Sequence, residues 1–349
     1  MEAKNDKKVS ASQGYQKTYG IIETLAPLHV GAAAGEEAGN LNLIFRDQFT
    51  QTGIIPGSSL RGRLRAEMRM ISTKWENYWY GRGAGSKDSK DDKKKTDEQS
   101  ANSGATAENA GSEDSSPTTS EADKKNGGQQ QANDKKKNTL QYESRVKIEH
   151  ASIVWLPVFS PGQPVVWVSC PRLLQRYKRI VGNKQEVPPV YTGSNSLNLE
   201  TVFFNFGFVK LKGKRQDLSA WFPLDKMLNY SDGTPDSAKK LPAIVVADDD
   251  MSLIHDMALY RQSRVALAED QKVVAGRGFF NVEALPEGTI MIFPIAIKPG
   301  TQNSLEENGE GNEEFNSQQW QPFEHGKKGD IYLGGLESVG FGHCYLTVK

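Results

Sequence analysis

Between residues 83 and 139 the chain contains no Val, Ile, Leu, Met, Phe, Tyr, Trp or Cys. The stretch is mostly Lys, Asp, Glu, Ser, Asn, Gln, Gly and Ala, in runs such as KDSKDDKKKTDEQS and NGGQQQANDKKKN. So little apolar surface cannot offset the entropy lost when a chain is ordered. Residues 83–140 are therefore predicted to be a disordered, low-complexity insertion. The 349-residue chain then divides into a polar tail at 1–18, a first globular piece at 19–82, the insertion, and a second piece at 141–349. The two pieces together supply about 290 residues, ample for a sizeable core.

Charge totals do not name a partner, because Lys plus Arg and Asp plus Glu each number 43. A balanced total still permits a local basic groove. Cys170 and Cys344 stand far apart and suit a reducing cytosol better than a disulfide scaffold. The start of the chain lacks the apolar core of a signal peptide, and no apolar run approaches the roughly 18 residues of a membrane span. A soluble, cytoplasmic protein with no membrane partner is expected.

Along the chain, YGIIETLAPLHVG begins as a strand that breaks at Pro27 and Gly31, and LNLIFRD reads as a second short strand. TGIIPGSSL is a turn into a helix, with Ser58 or Ser59 placed to cap it. Leu60, Leu64, Met68, Ile71, Trp75 and Tyr78 recur every three or four residues and predict one buried helix face. SRVKIEHASIVWLPVFS reads as a strand, and PVVWVSCPRLLQRYKRIVG as a strand then a helix. ETVFFNFGFVKLKGK reads as a strand of aromatic and β-branched residues. LPAIVVADDDMSLIHDMALYRQSRVAL reads as a strand and an Asp-led helix, and GRGFFNVEALPEGTIMIFPIAIK as a hairpin-like pair. A polar loop at 300–317 precedes the final strands. Helices and strands mix without a Rossmann fingerprint or a P-loop, which favours an α+β sandwich.

Four stretches carry possible chemistry. In IIPGSSLRGRLR, free amides at a helix start beside Gly57, Ser58 and Ser59 suit a phosphate, with Arg61, Arg63 and Arg65 adding charge. An ordinary helix with a solvated arginine face fits equally. GGLESVGFGH, with Gly334, Gly335, Gly340 and Gly342, marks a close backbone approach, either to RNA or to a neighbouring protein element. PRLLQRYKR, with Arg172 and Arg176, and YRQSRVALAEDQK, with Arg261, Arg264 and Lys272, place basic groups beside Tyr, a mix that suits single-stranded nucleic acid or a solvated surface. No HxH, HExxH, CxxC or GxSxG spacing occurs, and no metal site is expected. Asp248–Asp250 serve capping and the helix dipole.

Taken together and in order, LAPLHVGAAAG, IIPGSSLRGRLR, ASIVWLPVFS, VWVSCPRLLQRY, SRVALAEDQKVVAGRGFFNVEALP and GGLESVGFG resemble the RAMP superfamily of CRISPR–Cas proteins. The resemblance is nearest to the backbone subunits of type III-B effector complexes. It implies a modified ferredoxin-like (RRM-like) fold with palm, fingers and thumb, and copies or paralogues stacked along a CRISPR RNA. The partners it implies are that guide, a single-stranded target RNA, other RAMP backbone subunits and the large subunit of the complex. The Pro-Gly-Ser-Ser turn, the arginine helix, Arg46 and the Gly-rich loop would hold the guide backbone without reading its sequence.

Active members of this family cut target RNA with an aspartate six positions before the acidic end of a VVRD-type segment. Here that segment is IFRD, ending at Asp47, and the matching position is Leu41. Leucine cannot coordinate Mg2+ or orient a 2′-hydroxyl, so no tightly bound cofactor is expected and Mg2+ matters only if the site is active. Glu36 and Glu37 nearby are alternative carboxylates, and His29 would remain as part of a disarmed site. The resemblance thus implies a guide-binding scaffold subunit without cutting of its own. Two alternatives are an active target-RNA endoribonuclease of the same assembly and a stand-alone guide-processing nuclease with His29 as base. The insertion departs from ordinary backbone subunits and resembles the unequal, insertion-bearing subunits of type III-D-like complexes.

Overall fold

The longest central strands carry almost unbroken apolar runs, which is the mark of a sheet covered on both faces. The structure, a computed structural model, describes residues 14–31, 41–81, 143–205, 207–213, 215–223, 240–267, 274–298 and 320–349. The expected insertion at 83–140, the polar loop at 300–317, Glu36, Glu37 and Lys272 lie outside the described residues. No helix among the described residues is long and apolar enough to cross a membrane.

The first piece holds β1 (Gln16–Thr24), β2 (Leu41–Asn42), β3 (Ile54–Ile55), α1 (Gly57–Ile71) and α2 (Thr73–Tyr80). The second continues with β4 (Val146–Ile148), β5 (Ala151–Ser160), β6 (Gln163–Ser169), α3 (Pro171–Val181), β7 (Thr192–Gly193), β8 (Thr201–Phe204) and β9 (Gly207–Lys210). It ends with β10 (Ala243–Val245), α4 (Asp248–Ala258), β11 (Tyr260–Leu267), β12 (Val274–Ala284), β13 (Ile290–Ile297), β14 (Lys328–Tyr332) and β15 (His343–Val348). The main sheet runs β14-β15-β1-β13-β5-β6-β10-β7, with β3 added to β5 and β4 to β13. Its pairings are antiparallel except β6 with β10. A smaller sheet, β11-β12-β2, and the β8-β9 hairpin stand apart from it.

Alternation along the strands sorts side chains into two cores. Ile22, Ile153, Met291 and Phe293 join Leu60, Leu64 and Met68 of α1 and Met251 and Ile254 of α4. Their neighbours Ile21, Val154, Ile290 and Ile292 join Leu174 and Tyr177 of α3 with Trp155, Trp167 and Trp221. Each fully buried aliphatic side chain contributes about 1.5–3 kcal/mol. Cys170 and Cys344 are free, buried thiols. Burial pushes both up, Cys170 to about 12, so neither is a reactive thiolate.

The α+β class holds, and several local readings change. The single periodic helix is broken at Ser72, whose extended backbone separates α1 from α2 and leaves Tyr78 only half-buried. ETVFFNFGFVKLKGK holds two strands, β8 and β9, that pair antiparallel as a hairpin. YRQSRVAL leaves the helix after Ala258 and becomes β11, because it pairs antiparallel with β12 from Tyr260 to Leu267. β12 and β13 do not pair with each other: β12 joins β11 and β2, and β13 lies between β1 and β5 in the main sheet.

Candidate functional site

The α1 start is set by close backbone contact. β3 pairs with Ser152 and Ala151 of β5, and after Pro56 the helix begins directly beside β4. A Cβ on Gly57 would lie 2.4 Å from the Ile148 carbonyl oxygen, so only glycine allows the helix this near. Pro56 is the N-cap residue and no side chain caps the helix, which corrects the expectation that Ser58 or Ser59 does so. Proline's fixed φ places the turn one residue earlier, leaving both serines exposed in the first turn. The Pro56 carbonyl accepts from the amides of Ser59 at 3.0 Å and Leu60 at 3.2 Å. The amides of Gly57 and Ser58 have no partner among the described residues.

The same strand corner receives α3. Arg176 donates through Nη2 to the His150 carbonyl at 3.1 Å and through Nε to Ser152 Oγ at 2.9 Å, with the Glu149 carboxylate 3.7 Å away. A cavity of about 530 Å³ opens here, lined by Asp47, Phe49, His150, Arg172, Arg176 and Arg179 among others. Burial, then the neighbouring Arg179, lowers the Arg176 guanidinium pKa, and burial and Arg176 lower that of His150. Burial would raise the pKa of Asp47, but hydrogen bonds from Thr50 and the Phe49 amide outweigh it and hold the carboxylate low. That turn consumes the Asp47 charge and lifts Phe49 into solvent, 76% exposed, with the Arg172 guanidinium 5.7 Å from its ring centre. Arg179 has no ion pair among the described residues and is exposed. Three guanidinium groups and a flat aromatic ring therefore line one cavity at the corner, and the open start of α1 lies against the same strand segment at Ile148 and Glu149. Polyanions with stacking faces suit such a surface.

The arginines farther along α1 are already engaged. Arg61 donates to the Tyr80 carbonyl at 2.6 Å and lies over that ring. Arg63 pairs with Glu67 at 2.6 Å one turn on. Arg65 and Arg69 clamp the buried Glu76 of α2, at 2.6 Å and at 2.8 and 2.9 Å. The hydrogen bond from Arg69, helped by Arg65, holds the Glu76 carboxylate below its usual range. The helix that reads as an arginine face is thus tied to α2 by ion pairs.

A second cluster surrounds the position of Leu41. β2 pairs in parallel with β12, placing Leu41 beside Asn281 and Asn42 beside Val282. The adjacent Glu283 is 2% exposed, and its carboxylate receives Arg46 at 3.1 Å and Arg261 at 3.0 Å. Arg46 also pairs with Asp256 at 2.7 Å. His29 is buried, with Nδ1 2.6 Å from the Glu283 carbonyl oxygen. Arg264 donates to Gln262 and to the Val339 carbonyl and lies over Phe341. Sequence reasoning passes over His255, which is fully buried and accepts the Gly53 amide through Nε2 at 2.9 Å. Burial, aided by Arg46, pushes its pKa down to about 3.

The Gly-rich tail approaches protein backbone. The Gly335 amide donates to the His29 carbonyl at 2.9 Å, and the Gly342 amide to the Pro27 carbonyl at 2.9 Å. Gly334 has φ of 82°, and a Cβ there would sit 2.1 Å from the His29 carbonyl oxygen. Gly340, also at positive φ, faces open space. Asp248 caps a different helix from its own: it accepts the Arg172 amide of α3 at 2.9 Å. Among the described residues no three His, Cys, Asp or Glu converge as a metal site. Among the described residues, the donor set near Leu41 does not fit Mg2+, because the Glu283 carboxylate is held by two guanidinium groups.

The sequence signals for Glu283 and Phe49 are faint. Glu283 is one carboxylate inside the apolar run FFNVEALP, and Phe49 lies within an Asp-x-x-Thr turn that hydrogen-bonds its own backbone.

The model of the RAMP superfamily matches residues 21–345. No curated protein matches the chain in sequence. Among solved structures, it is similar to a chain of the type III-B Cmr-beta complex bound to cognate target RNA, at 14% identity and a TM-score of 0.58, covering 96% of this chain and 98% of that one. It is also similar to oligomeric Cmr4 from Pyrococcus furiosus, at 16% identity and a TM-score of 0.53, covering 95% and 98%. At these identities the likeness concerns the fold.

Proposed function

The chain belongs to the RAMP superfamily, and from that premise we propose that it is a guide-RNA-binding backbone subunit of a type III CRISPR effector complex that does not itself cut RNA. Its similarity in fold to the Cmr-beta chain and to Cmr4 supports the assembly class. The observation that carries RNA binding is the corner at Glu149 and His150, which the open α1 start approaches and where Arg172, Arg176 and Arg179 line a cavity. Guide phosphates pass over the Gly57 and Ser58 amides and along the α3 arginines, and Phe49 offers a stacking face. Arg46, Arg65 and Arg261 stay outside the grip, because buried carboxylates hold them. The partners are a CRISPR RNA, the single-stranded target paired to it, other RAMP subunits and the large subunit.

The absence of cutting is supported by Leu41, which stands where active relatives have an aspartate, and by the arginine clamp on Glu283. His29 is buried with one ring nitrogen tied to a main-chain carbonyl, a poor position for a general base. The test is to purify the complex with its neighbouring gene products and sequence its RNA. Small RNAs with repeat-derived ends are expected, with target RNA intact opposite this subunit. A complex without such RNA overturns the binding role. A cut opposite the subunit that is lost in Glu36→Ala or Glu37→Ala overturns the non-cutting role.

A further inference from the structure

The β8–β9 hairpin stands off the main sheet with an aromatic outer face. Phe203 and Phe208 are cross-strand partners, their ring centres 6.1 Å apart, and Phe208 is 67% exposed. Between this hairpin and α4 lies a cavity of about 380 Å³. Phe204, Ile254 and Met257 line it, and Leu253 beside them is 57% exposed. On the hairpin side are Lys210 and Lys212, neither in an ion pair among the described residues, and Lys212 rests 4.5 Å from the Tyr191 ring centre. On the helix side Asp250 accepts the Tyr191 hydroxyl at 3.1 Å. Tyr191 is held at φ of 63°, a conformation a bulky residue adopts only when its surroundings impose it.

Those features have one chemistry in common. An apolar cavity open to solvent, lined by Phe204, Phe208 and Ile254, suits a planar ring. Unpaired ammonium groups at its edge suit phosphates, and the Asp250 carboxylate can accept from an exocyclic amine or ring N–H. We propose that this cavity takes one unstacked base of a single-stranded RNA, with its flanking phosphates on Lys210 and Lys212. The Asp-led start of α4 opposes a second phosphate on the helix side, so the strand runs along the hairpin. The inference rests on the RNA-binding reading above and adds a base-stacking contact to the phosphate grip at α3.

The purified full chain is titrated with a fluorescent single-stranded RNA of mixed sequence over a range of salt concentrations. Phe208→Ala is expected to weaken binding about tenfold with the salt slope unchanged, and Phe208→Trp to restore it. Lys210→Ala with Lys212→Ala should lower the slope by about 1.4. RNA carrying 4-thiouridine should crosslink to the hairpin in wild type and lose that crosslink in Phe208→Ala. Because Phe208 is exposed, the variant keeps its fold, and an unchanged circular dichroism melt checks this. If wild type binds through Arg172 and Arg179 while Phe208→Ala binds equally well, the base site is overturned and the α3 grip stands. If wild type binds no RNA, both fall. If Phe208→Ala keeps its RNA affinity but loses association with a neighbouring subunit, the slot is a protein contact and the proposal fails.

Discussion

Two regions of this molecule gather arginines and use them in opposite ways. Around Glu283, Arg46 and Arg261 point inward at a carboxylate that is 2% exposed, and Asp256 takes a second bond from Arg46. At the Glu149–His150 corner, Arg172 and Arg179 face a cavity, and the nearby Asp47 spends its charge on its own turn. In the first region charge joins the segment after β2, β11, β12 and α4 through one buried carboxylate. In the second it remains available to a ligand. The difference lies in the carboxylates and not in the arginines, which look alike in the sequence.

The largest effect expected from this contrast is on stability. Glu283→Ala leaves a gap beneath the partly buried Arg46 and the half-exposed Arg261, and should cost about 2–3 kcal/mol in denaturant melts. A melt equal to wild type would mean that the arginines around Glu283 are no more committed than those of α3. Next is the opposite test. Arg172→Ala with Arg179→Ala should leave stability within about 0.5 kcal/mol. It should lower the RNA salt slope by about 1.4 and weaken binding roughly fifteenfold near 0.15 M salt, because each lost phosphate contact to a single strand removes about a fourfold counter-ion gain. An unchanged slope would move the phosphate path elsewhere.

The histidines sharpen the same contrast through pH. His255 sits by Arg46 with its pKa pushed down to about 3, whereas the ordinary value is about 6.5. The unfolded chain therefore takes up a proton below about 6.5 that the folded chain refuses, and stability falls as pH drops toward 3. Between pH 7 and pH 5 the loss should be about 2 kcal/mol. His255→Gln, whose side-chain oxygen can still accept the Gly53 amide, should flatten that dependence. His150→Gln should flatten it far less, since that imidazole is only half-buried in the open cleft. Equal slopes for both variants would contradict the buried-versus-open distinction.

The same contrast separates what local sequence dictates from what only distant contacts supply. The apolar strands ASIVWLPVFS and IMIFPIAI are plain in the sequence, because runs covered on both sides need no partner pattern to be recognised. The buried stripe Leu60, Leu64 and Met68 is legible from its spacing, since helical period depends on local sequence alone. What stays hidden depends on residues far apart along the chain. Nothing local pairs Arg46 with Glu283, or draws Arg65 and Arg69 onto Glu76. The Gly-rich tail by itself leaves open whether its close neighbour is RNA or protein, and the His29 carbonyl beneath Gly334 supplies the neighbour. The break at Ser72 and the division into β8 and β9 escape a sequence reading because apolar periodicity and β propensity carry on through both.

The smallest effect falls on the arginine that stands between the two behaviours. Arg63 is bonded to Glu67 at 2.6 Å, but both side chains are partly exposed, and such a helical pair contributes only about 0.3–0.5 kcal/mol. A bond that weak does not commit Arg63 in the way Glu283 commits Arg261. If a carboxylate partner matters only when buried, Glu67→Gln should free Arg63 and remove a negative charge from the face of α1, raising RNA affinity about twofold. Stability should change by no more than about 0.5 kcal/mol. Arg63→Ala should reverse the gain without disturbing the melt. A fall in affinity for Glu67→Gln would mean that the exposed pair positions Arg63 for the strand. The rule dividing engaged from available arginines would then have to rest on geometry and not on burial.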